Sequence, residues 1–262
     1  MTYEVQSKWM VPVGHPNRSG NKLLGVRALV FHYTGNYKQG ADDIGNARYF
    51  AREPEWDNGR WEEKNTDEKF VYASAHYIVD QDSIQMSIPE DEVAWHVGST
   101  NYTPYAKEKL GGKPNYYTIG IEMCVNEGND WEKTMALSIE LGSDIMIRNN
   151  LSIDQVIRHY DVTYKSCPLM FVNDEKAWAD FKARLAKRVE EKKNPPKPVE
   201  EVKGMFKDVP NEHFAKEAVE YFGSHGVVKG DTNGNFNVNN PITRGEVMVI
   251  LYRLLKFLGL LK

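Results

Sequence analysis

Apolar and polar positions alternate in several short segments of the chain, and such alternation predicts β-strands. Residues 27–33 indicate a buried strand in which Ala28, Val30 and His32 share one face. In residues 117–125 the aliphatic side chains share one face of a strand, and the other face carries Gly120, Glu122 and Cys124. Further strands are predicted at Val71–Asp80, at Ser83–Ile88 after a tight turn at Gln81-Asp82, and at residues 154–159.

Helical periodicity lies between and after these strands. Asp42 is expected to cap a short helix through Phe50, and Asp130 a long helix to about Asn149. A later helix, capped by Asn173, has an inner stripe of Trp178, Phe181, Leu185 and Val189. Strands that alternate with helices predict an α/β domain with a mixed central sheet flanked by helices.

The composition changes after residue 189. Residues 190–204 are charged and proline-rich, which predicts an extended linker. Residues 1–189 are therefore predicted to form one domain, and residues 205–262 a small, mostly helical module. The apolar stripe from Val247 to Leu260 is interpreted as core of that module, with self-association as a use for its exposed positions. Residues 52–69 predict a loop or an exposed hairpin.

Charge and hydrophobicity narrow the function classes. The 262 residues carry a net charge of -4, which favours neither nucleic acid nor an anionic membrane as partner. No apolar run reaches the roughly 20 residues that span a bilayer. Residues 1–5 lack the features of a secretory signal, so synthesis in the cytoplasm is expected. Residues 231–235 suggest a calcium loop, but Phe236 and Ile242 occupy its glycine and glutamate positions, which predicts a turn instead.

His159 and Cys167 suggest a metal site. They are separated by a seven-residue segment that can fold back, and imidazole with thiolate is a ligand pair that favours zinc. His32, where a strand pattern runs into a turn, is the best candidate for a third ligand. Three protein ligands leave a fourth position for water, which is the catalytic arrangement.

Five motifs give residues 22–170 a family resemblance. They are Phe31-His32-Tyr33-Thr34, residues 73–79, Ala94-Trp95-His96-Val97-Gly98, Ile119-Gly120-Ile121-Glu122 and His159-Tyr160-Asp161 with Lys165-Ser166-Cys167-Pro168. In this order and at these spacings the region resembles a type 2 N-acetylmuramoyl-L-alanine amidase, the fold shared by amidase-type phage lysozymes and peptidoglycan recognition proteins.

The resemblance implies a cofactor, a substrate and residue roles. Zn²⁺ would be bound by His32, His159 and Cys167, and would act on the amide between N-acetylmuramic acid and the L-alanine of the stem peptide. Glu122 would take the proton of the attacking water, and Lys165 would stabilise the oxyanion. Trp95 and His96 are expected to line the substrate groove. His76 is interpreted as structural or groove-lining rather than as a ligand, and Cys124 as a small buried hydrophobe.

Residues 206–246 resemble one S-layer homology module. The similar segments are residues 206–210, 213–219, 226–230 and Ile242-Thr243-Arg244-Gly245-Glu246. Such modules bind secondary cell-wall polysaccharide, and the resemblance gives Arg244 that role. The modules usually act in threes, and here Gly245 and Phe214 replace the customary alanine and tryptophan. The module is therefore expected to bind weakly, to oligomerise, or to act as a folding cap.

The function expected from these features is a zinc-dependent peptidoglycan amidase that acts at a Gram-positive cell wall after release, as a phage or prophage endolysin. A host autolysin, a spore-wall amidase and a muropeptide-recycling enzyme share its chemistry, although the wall-binding tail argues against recycling. A non-catalytic peptidoglycan-binding protein is the alternative of a different class, and the presence of Cys167 argues against it.

Overall fold

The computed structural model describes residues 3–57, 60–63, 72–195 and 205–261. These residues divide into two compact units, 1–195 and 196–262. In the first unit six strands form one sheet in the order β1-β6-β5-β7-β2-β8. The strands of this sheet are β1 (Val5–Gln6), β2 (Ala28–Tyr33), β5 (Tyr77–Val79), β6 (Ile84–Met86), β7 (Thr118–Met123) and β8 (Val156–Arg158).

The sheet is mixed, as predicted. Strand β5 pairs antiparallel with β6 through a hairpin, whereas β5, β7, β2 and β8 run parallel to one another. A separate antiparallel hairpin is formed by β3 (Pro54–Asp57) and β4 (Arg60–Glu63), which agrees with the hairpin alternative for this region. Residues 58–59 and 64–69 of the same prediction, and Val71 of the strand predicted after it, lie outside the described residues.

Helices cover both faces of the sheet. They are α1 (Asp43–Phe50), α2 (Pro104–Leu110), α3 (Trp131–Arg148), α4 (His159–Thr163), α5 (Leu169–Asn173) and α6 (Glu175–Lys193). Alternate residues of β2 contribute to the hydrophobic cores on the two faces of the sheet. Leu29 and Phe31 pack with side chains of α3 and α6, while Ala28 and Val30 pack with those of α2 and α4. This alternation is the period of two that the sequence predicted.

Several boundaries differ from the predictions. Residues 72–76 are not strand: the Ala73 N–H bonds the Asn17 side chain and the Ser74 N–H bonds the Trp95 carbonyl, and bonding to β7 begins at His76, whose N–H donates to the Gly120 carbonyl. His159 begins α4 rather than ending a strand. Asp174, not Asn173, caps α6 by accepting from two backbone N–H groups, since residues 169–173 form α5. The predicted linker start at 190 is also wrong, because α6 continues to Lys193.

The second unit contains α7 (Lys216–Ser224) and α8 (Arg244–Phe257). Its core consists of Phe206, Val209 and Val219, packed with Phe236 and Val238. The interpretation of residues 247–260 as core is wrong, because none of the residues of α8 is buried. Among the described residues, no helix has the length and apolarity needed to cross a bilayer.

Candidate metal centre

Two neighbouring parallel strands bring His32 and Glu122 together. His32 lies on β2 and Glu122 on β7, and the strand register pairs their Cα positions directly. Both residues lie near the carboxyl ends of their strands, where open α/β sheets place their ligands. The His32 Nδ1 atom is 3.9 Å from Glu122 Oε1.

His159 and Cys167 reach the same place from the end of β8. His159 follows this strand directly and begins α4, whose start is fixed by Arg158: its backbone N–H and its guanidinium both bond the carboxylate of Asp161. The chain then turns back, and the Tyr160 N–H donates to the Cys167 carbonyl at 3.0 Å. This closure places Cys167 Sγ 3.8 Å from His32 Nδ1.

One ligand atom each of His32, His159 and Cys167 lies within 4.8 Å of the others, and all three residues are buried. Ligands of one tetrahedral zinc ion lie roughly 3.3–3.8 Å apart, given bond lengths of about 2.0–2.3 Å. Among the described residues, this is the one group of three or more histidine, cysteine or acidic residues with metal-binding geometry.

The electrostatics of these groups suit a cation. Burial lowers the pKa of His32 far below its usual value and that of His159 to about 3, so both imidazoles are neutral and can donate a lone pair. Burial also raises the pKa of the Cys167 thiol to about 12. The thiol therefore loses its proton when a cation replaces it, and metal uptake at this site releases a proton.

Unpaired atoms support the same interpretation. Within the described part of the chain, His159 Nδ1 and Glu122 Oε2 are buried and have no hydrogen-bond partner. A buried polar atom without a partner costs about 1–3 kcal/mol. A metal ion held by two imidazoles and a thiolate would use the His159 nitrogen, and a water beside that ion would serve Glu122. The residues present therefore fit zinc.

Glu122 and Lys165 differ in exposure. Burial raises the pKa of Glu122 to about 8, and the nearby Lys165 ammonium acts in the opposite direction. Lys165 is exposed, two residues before Cys167. The same ammonium also lowers the pKa of His159, which places its charge beside the cluster.

His96 does not lie where a groove-lining residue would. Its side chain is buried, and both ring nitrogens have partners inside the protein: Nδ1 is 2.9 Å from His32 Nε2, and Nε2 is 3.0 Å from Thr118 Oγ1. The predicted groove-lining role of His96 therefore disagrees with its position behind His32. Trp95 is half-buried, and its backbone N–H donates to the Ser74 hydroxyl.

Sequence reasoning gave no role to Thr118 or Gly120. A Cβ atom on Gly120 would lie 2.5 Å from His96 Nδ1, so only glycine lets the imidazole approach the strand. The available signal was the period of two, because residues 118, 120 and 122 share the face of β7 that carries Glu122. His76, interpreted as structural or groove-lining, is fully buried and bonded to backbone on both ring nitrogens.

This arrangement defines a candidate mononuclear metal centre with an adjacent carboxylate, at the carboxyl edge of a mixed α/β sheet. Residues 21–169, which are more than half of the chain, match the N-acetylmuramoyl-L-alanine amidase family. Residues 206–248 match the S-layer homology domain. The chain belongs to the N-acetylmuramoyl-L-alanine amidase family and carries an S-layer homology domain.

Relatives and solved structures agree with this assignment. The chain is 33% identical over 186 residues to the N-acetylmuramoyl-L-alanine amidase BlyA of Bacillus subtilis, covering 67% of this chain and 45% of BlyA. The catalytic domain of XlyA superposes with a TM-score of 0.54 at 28% identity, covering 70% of this chain and 99% of that domain. The chain thus spans about half the length of the curated relatives it matches, and it covers nearly all of a solved catalytic domain.

Another relative matches a shorter stretch of the chain. A stretch of 52 residues is 43% identical to the outer membrane protein SlpA of Thermus thermophilus, covering 20% of this chain and 6% of SlpA.

Proposed function

We propose that this protein is a zinc-dependent amidase that cleaves the bond between N-acetylmuramic acid and the L-alanine of the peptidoglycan stem peptide. The proposal depends above all on one observation: His32, His159 and Cys167 offer three ligand atoms within 4.8 Å of one another, beside the buried carboxylate of Glu122. The names of the relatives, amidases of Bacillus species, supply the substrate.

The metal site and the neighbouring Glu122 have different roles in the proposed reaction. When bound, zinc supplies a Lewis acid that polarises the scissile carbonyl and acidifies the attacking water. Glu122 holds the water through its unpaired Oε2, takes its proton and passes that proton to the leaving amine. Burial raises the pKa of Glu122, which favours its holding of the proton between the attack and the departure of the amine.

Lys165 and Trp95 act on the substrate. The ammonium of Lys165 is exposed and close to the cluster, where it stabilises the oxyanion that forms when the amide carbonyl is attacked. Trp95 is half-buried and directly precedes His96 in the chain, and its proposed role is to contact the substrate.

Mass spectrometry of purified Gram-positive peptidoglycan tests this function. Incubation with the full chain should release intact stem peptides that carry a free L-alanine amine. Release should stop when zinc is chelated and resume when zinc is restored, because the Lewis acid is then lost and regained. Intact glycan–peptide bonds in a sample with a full complement of zinc would leave a peptidoglycan-binding protein as the better description.

We propose a phage or prophage endolysin of a Gram-positive host as the biological role. The support is the likeness to the solved mutant endolysin of Bacillus subtilis, with a TM-score of 0.54 and 27% identity over 70% of this chain. A host autolysin or spore-wall amidase has the same chemistry. Location of the gene within a block of phage structural genes would favour the endolysin, and a sporulation-controlled promoter would favour the host enzyme.

For residues 205–262 we propose binding to secondary cell-wall polysaccharide, with Arg244 as a contact. Arg244 is exposed at the first position of α8, and the helix start is fixed by a capping box between Thr243 and Glu246. Arg244→Ala should reduce co-sedimentation with walls that retain this polymer and should not change co-sedimentation with walls stripped of it. Equal retention on both walls by the wild type would contradict the proposal.

We further propose that the module self-associates through α8. Large apolar side chains are at least 38% exposed along this helix and the residues after it: Val247, Met248, Val249, Leu251, Tyr252, Leu255, Phe257, Leu258, Leu260 and Leu261. An apolar surface of this extent is unusual on a monomer and typical of an interface. A second copy offers an equally apolar helix, and a two-fold contact would cover both.

Sedimentation velocity tests this association. The wild type should show a species heavier than the monomer whose fraction grows with concentration. The double substitution Leu251→Lys and Leu255→Lys should give a monomer, because both side chains are exposed and lysine is also a good helix former. Glu212→Gln, at an exposed position outside α8, is the control and should associate as the wild type does. A wild-type monomer at every concentration would contradict the proposal.

A further inference from the structure

The buried environment of His32 contains a chain of hydrogen bonds that the catalytic roles above do not use. His32 Nε2, on the ring side away from Cys167, is 2.9 Å from His96 Nδ1. His96 Nε2 is in turn 3.0 Å from the hydroxyl of Thr118. All three side chains are buried, so no solvent is available to satisfy them.

Thr118 determines the direction of this chain. Its hydroxyl lies 2.9 Å from the carbonyl oxygen of Pro114, which can only accept a hydrogen bond. The single hydroxyl proton must therefore point to Pro114, because two oxygen lone pairs at this distance repel each other. The oxygen of Thr118 is left as an acceptor, and His96 Nε2 must carry the proton that it accepts.

The proton positions on the other two nitrogens follow. A neutral imidazole has one N–H and one lone pair, so His96 Nδ1 is the acceptor once Nε2 is the donor. His32 Nε2 then donates to it, and His32 Nδ1 keeps its lone pair. That nitrogen is the one that faces Cys167 Sγ and Glu122.

We propose that His96 and Thr118 are positioning residues that hold His32 in the Nε2–H tautomer and so keep Nδ1 free for the metal. This inference rests on the proposed metal site. A metal-bound histidine usually donates its other N–H to an acceptor that fixes its tautomer and orientation. Here the acceptor is a second imidazole, that of His96. The Thr118 hydroxyl, two hydrogen bonds away from His32 Nδ1, determines which nitrogen of each imidazole carries the proton.

The surroundings of His96 keep this arrangement in place. The His96 ring packs against β7 at Gly120, where any larger residue would collide with Nδ1. His76 lies beside it, with ring centroids 5.7 Å apart, and cannot compete for the proton. Its Nδ1 accepts from the Gly120 N–H, so its Nε2 donates to the Glu92 carbonyl.

Substitutions of Thr118 distinguish the effect of its hydroxyl group from the effect of its side-chain volume. Thr118→Val keeps the volume and removes the acceptor, so a donor on His96 Nε2 would be buried without a partner. The ring then favours the Nδ1–H tautomer, which forces His32 to accept at Nε2 and to carry its proton on Nδ1. Zinc affinity should fall by about 10–100-fold, the usual effect of removing a residue that orients a metal ligand. Thr118→Ser keeps the hydroxyl and should retain affinity.

Two readouts on the full chain test the proposal without measuring turnover. Long-range ¹H–¹⁵N spectra of zinc-free protein with labelled histidine should show Nε2–H tautomers for His32 and His96, with the His96 tautomer changed in Thr118→Val. Competition with a chromophoric chelator gives the zinc affinity of each variant. Circular dichroism confirms that the variants are folded.

Three outcomes would overturn the proposal: an Nδ1–H tautomer on His96 in the wild type, wild-type zinc affinity in Thr118→Val, or an equal loss in Thr118→Ser, which would indicate packing alone. A chain that binds zinc with these tautomers but cleaves no peptidoglycan would defeat the proposed function and leave this inference intact.

Discussion

Glu122→Gln is expected to lower the rate of stem-peptide release by about 10²–10⁴-fold, the usual contribution of a positioned general acid–base. The amide has nearly the same shape as the carboxylate and cannot take a proton from water. Zinc content and co-sedimentation with walls should not change, because Glu122 is not one of the three clustered ligands. The measurements are mass spectrometry of released peptides, metal analysis of the purified protein and a wall-pelleting assay.

Glu108→Gln is the matched control. This glutamate lies on α2 with 71% of its side chain exposed, and it pairs with its neighbour Lys109. The same chemical change there should leave the rate at the wild-type level. If Glu122→Gln retained turnover within a few-fold of the wild type, another group would have to be the base. Loss of zinc together with activity would show a structural rather than a catalytic effect.

Cys167→Ser is expected to remove both zinc and turnover. A serine hydroxyl does not ionise near neutral pH, so the site would retain only its two imidazoles. Structural zinc sites with four ligands bind with about 10–16 kcal/mol, so that one ligand contributes roughly 3 kcal/mol, or at least ~100-fold in affinity. Chelator competition measures the affinity, and peptide release measures the activity.

Cys124→Ala provides the comparison for this substitution, since Cys124 is the other cysteine of the chain. It is fully buried, with Ala47 and Ile78 in its small cluster, and burial raises the pKa of its thiol. Alanine should lower stability by about 1 kcal/mol and leave zinc binding unchanged. Normal zinc affinity in Cys167→Ser, or lost affinity in Cys124→Ala, would contradict the assigned ligand set.

The fold and the clustering of His32, His159 and Cys167 could largely be predicted because they depend on local patterns and motif order. The period of two in residues 27–33 and 117–125 correctly divided each strand into two faces, and the position of Glu122 on the face away from the aliphatic core followed from it. The stripe of α6 was also correct, since all four of its predicted residues are buried.

What could not be predicted depends on contacts between distant segments. Ala73 and Ser74 lie in a segment with a strand pattern, but their N–H groups bond the Asn17 side chain and the Trp95 carbonyl instead of a neighbouring strand. The position of His96 behind His32 is set by a strand and a loop that are 64 residues apart in sequence. The extent to which α8 is exposed was not predicted, because an apolar stripe alone does not tell whether the helix packs against its own chain or against another molecule.

The ligand cluster also joins segments that are far apart in sequence: His32 and Cys167 are separated by 135 residues. An unfolded chain therefore has no preformed site, and a zinc ion held by these residues would bind the native state almost exclusively. Through this linkage the free energy of unfolding would rise by about 4 kcal/mol when free zinc exceeds its dissociation constant a thousandfold. The ion proposed for catalysis would thus also hold β2 and the end of β8 together, and resistance to unfolding would depend on the zinc concentration around the protein.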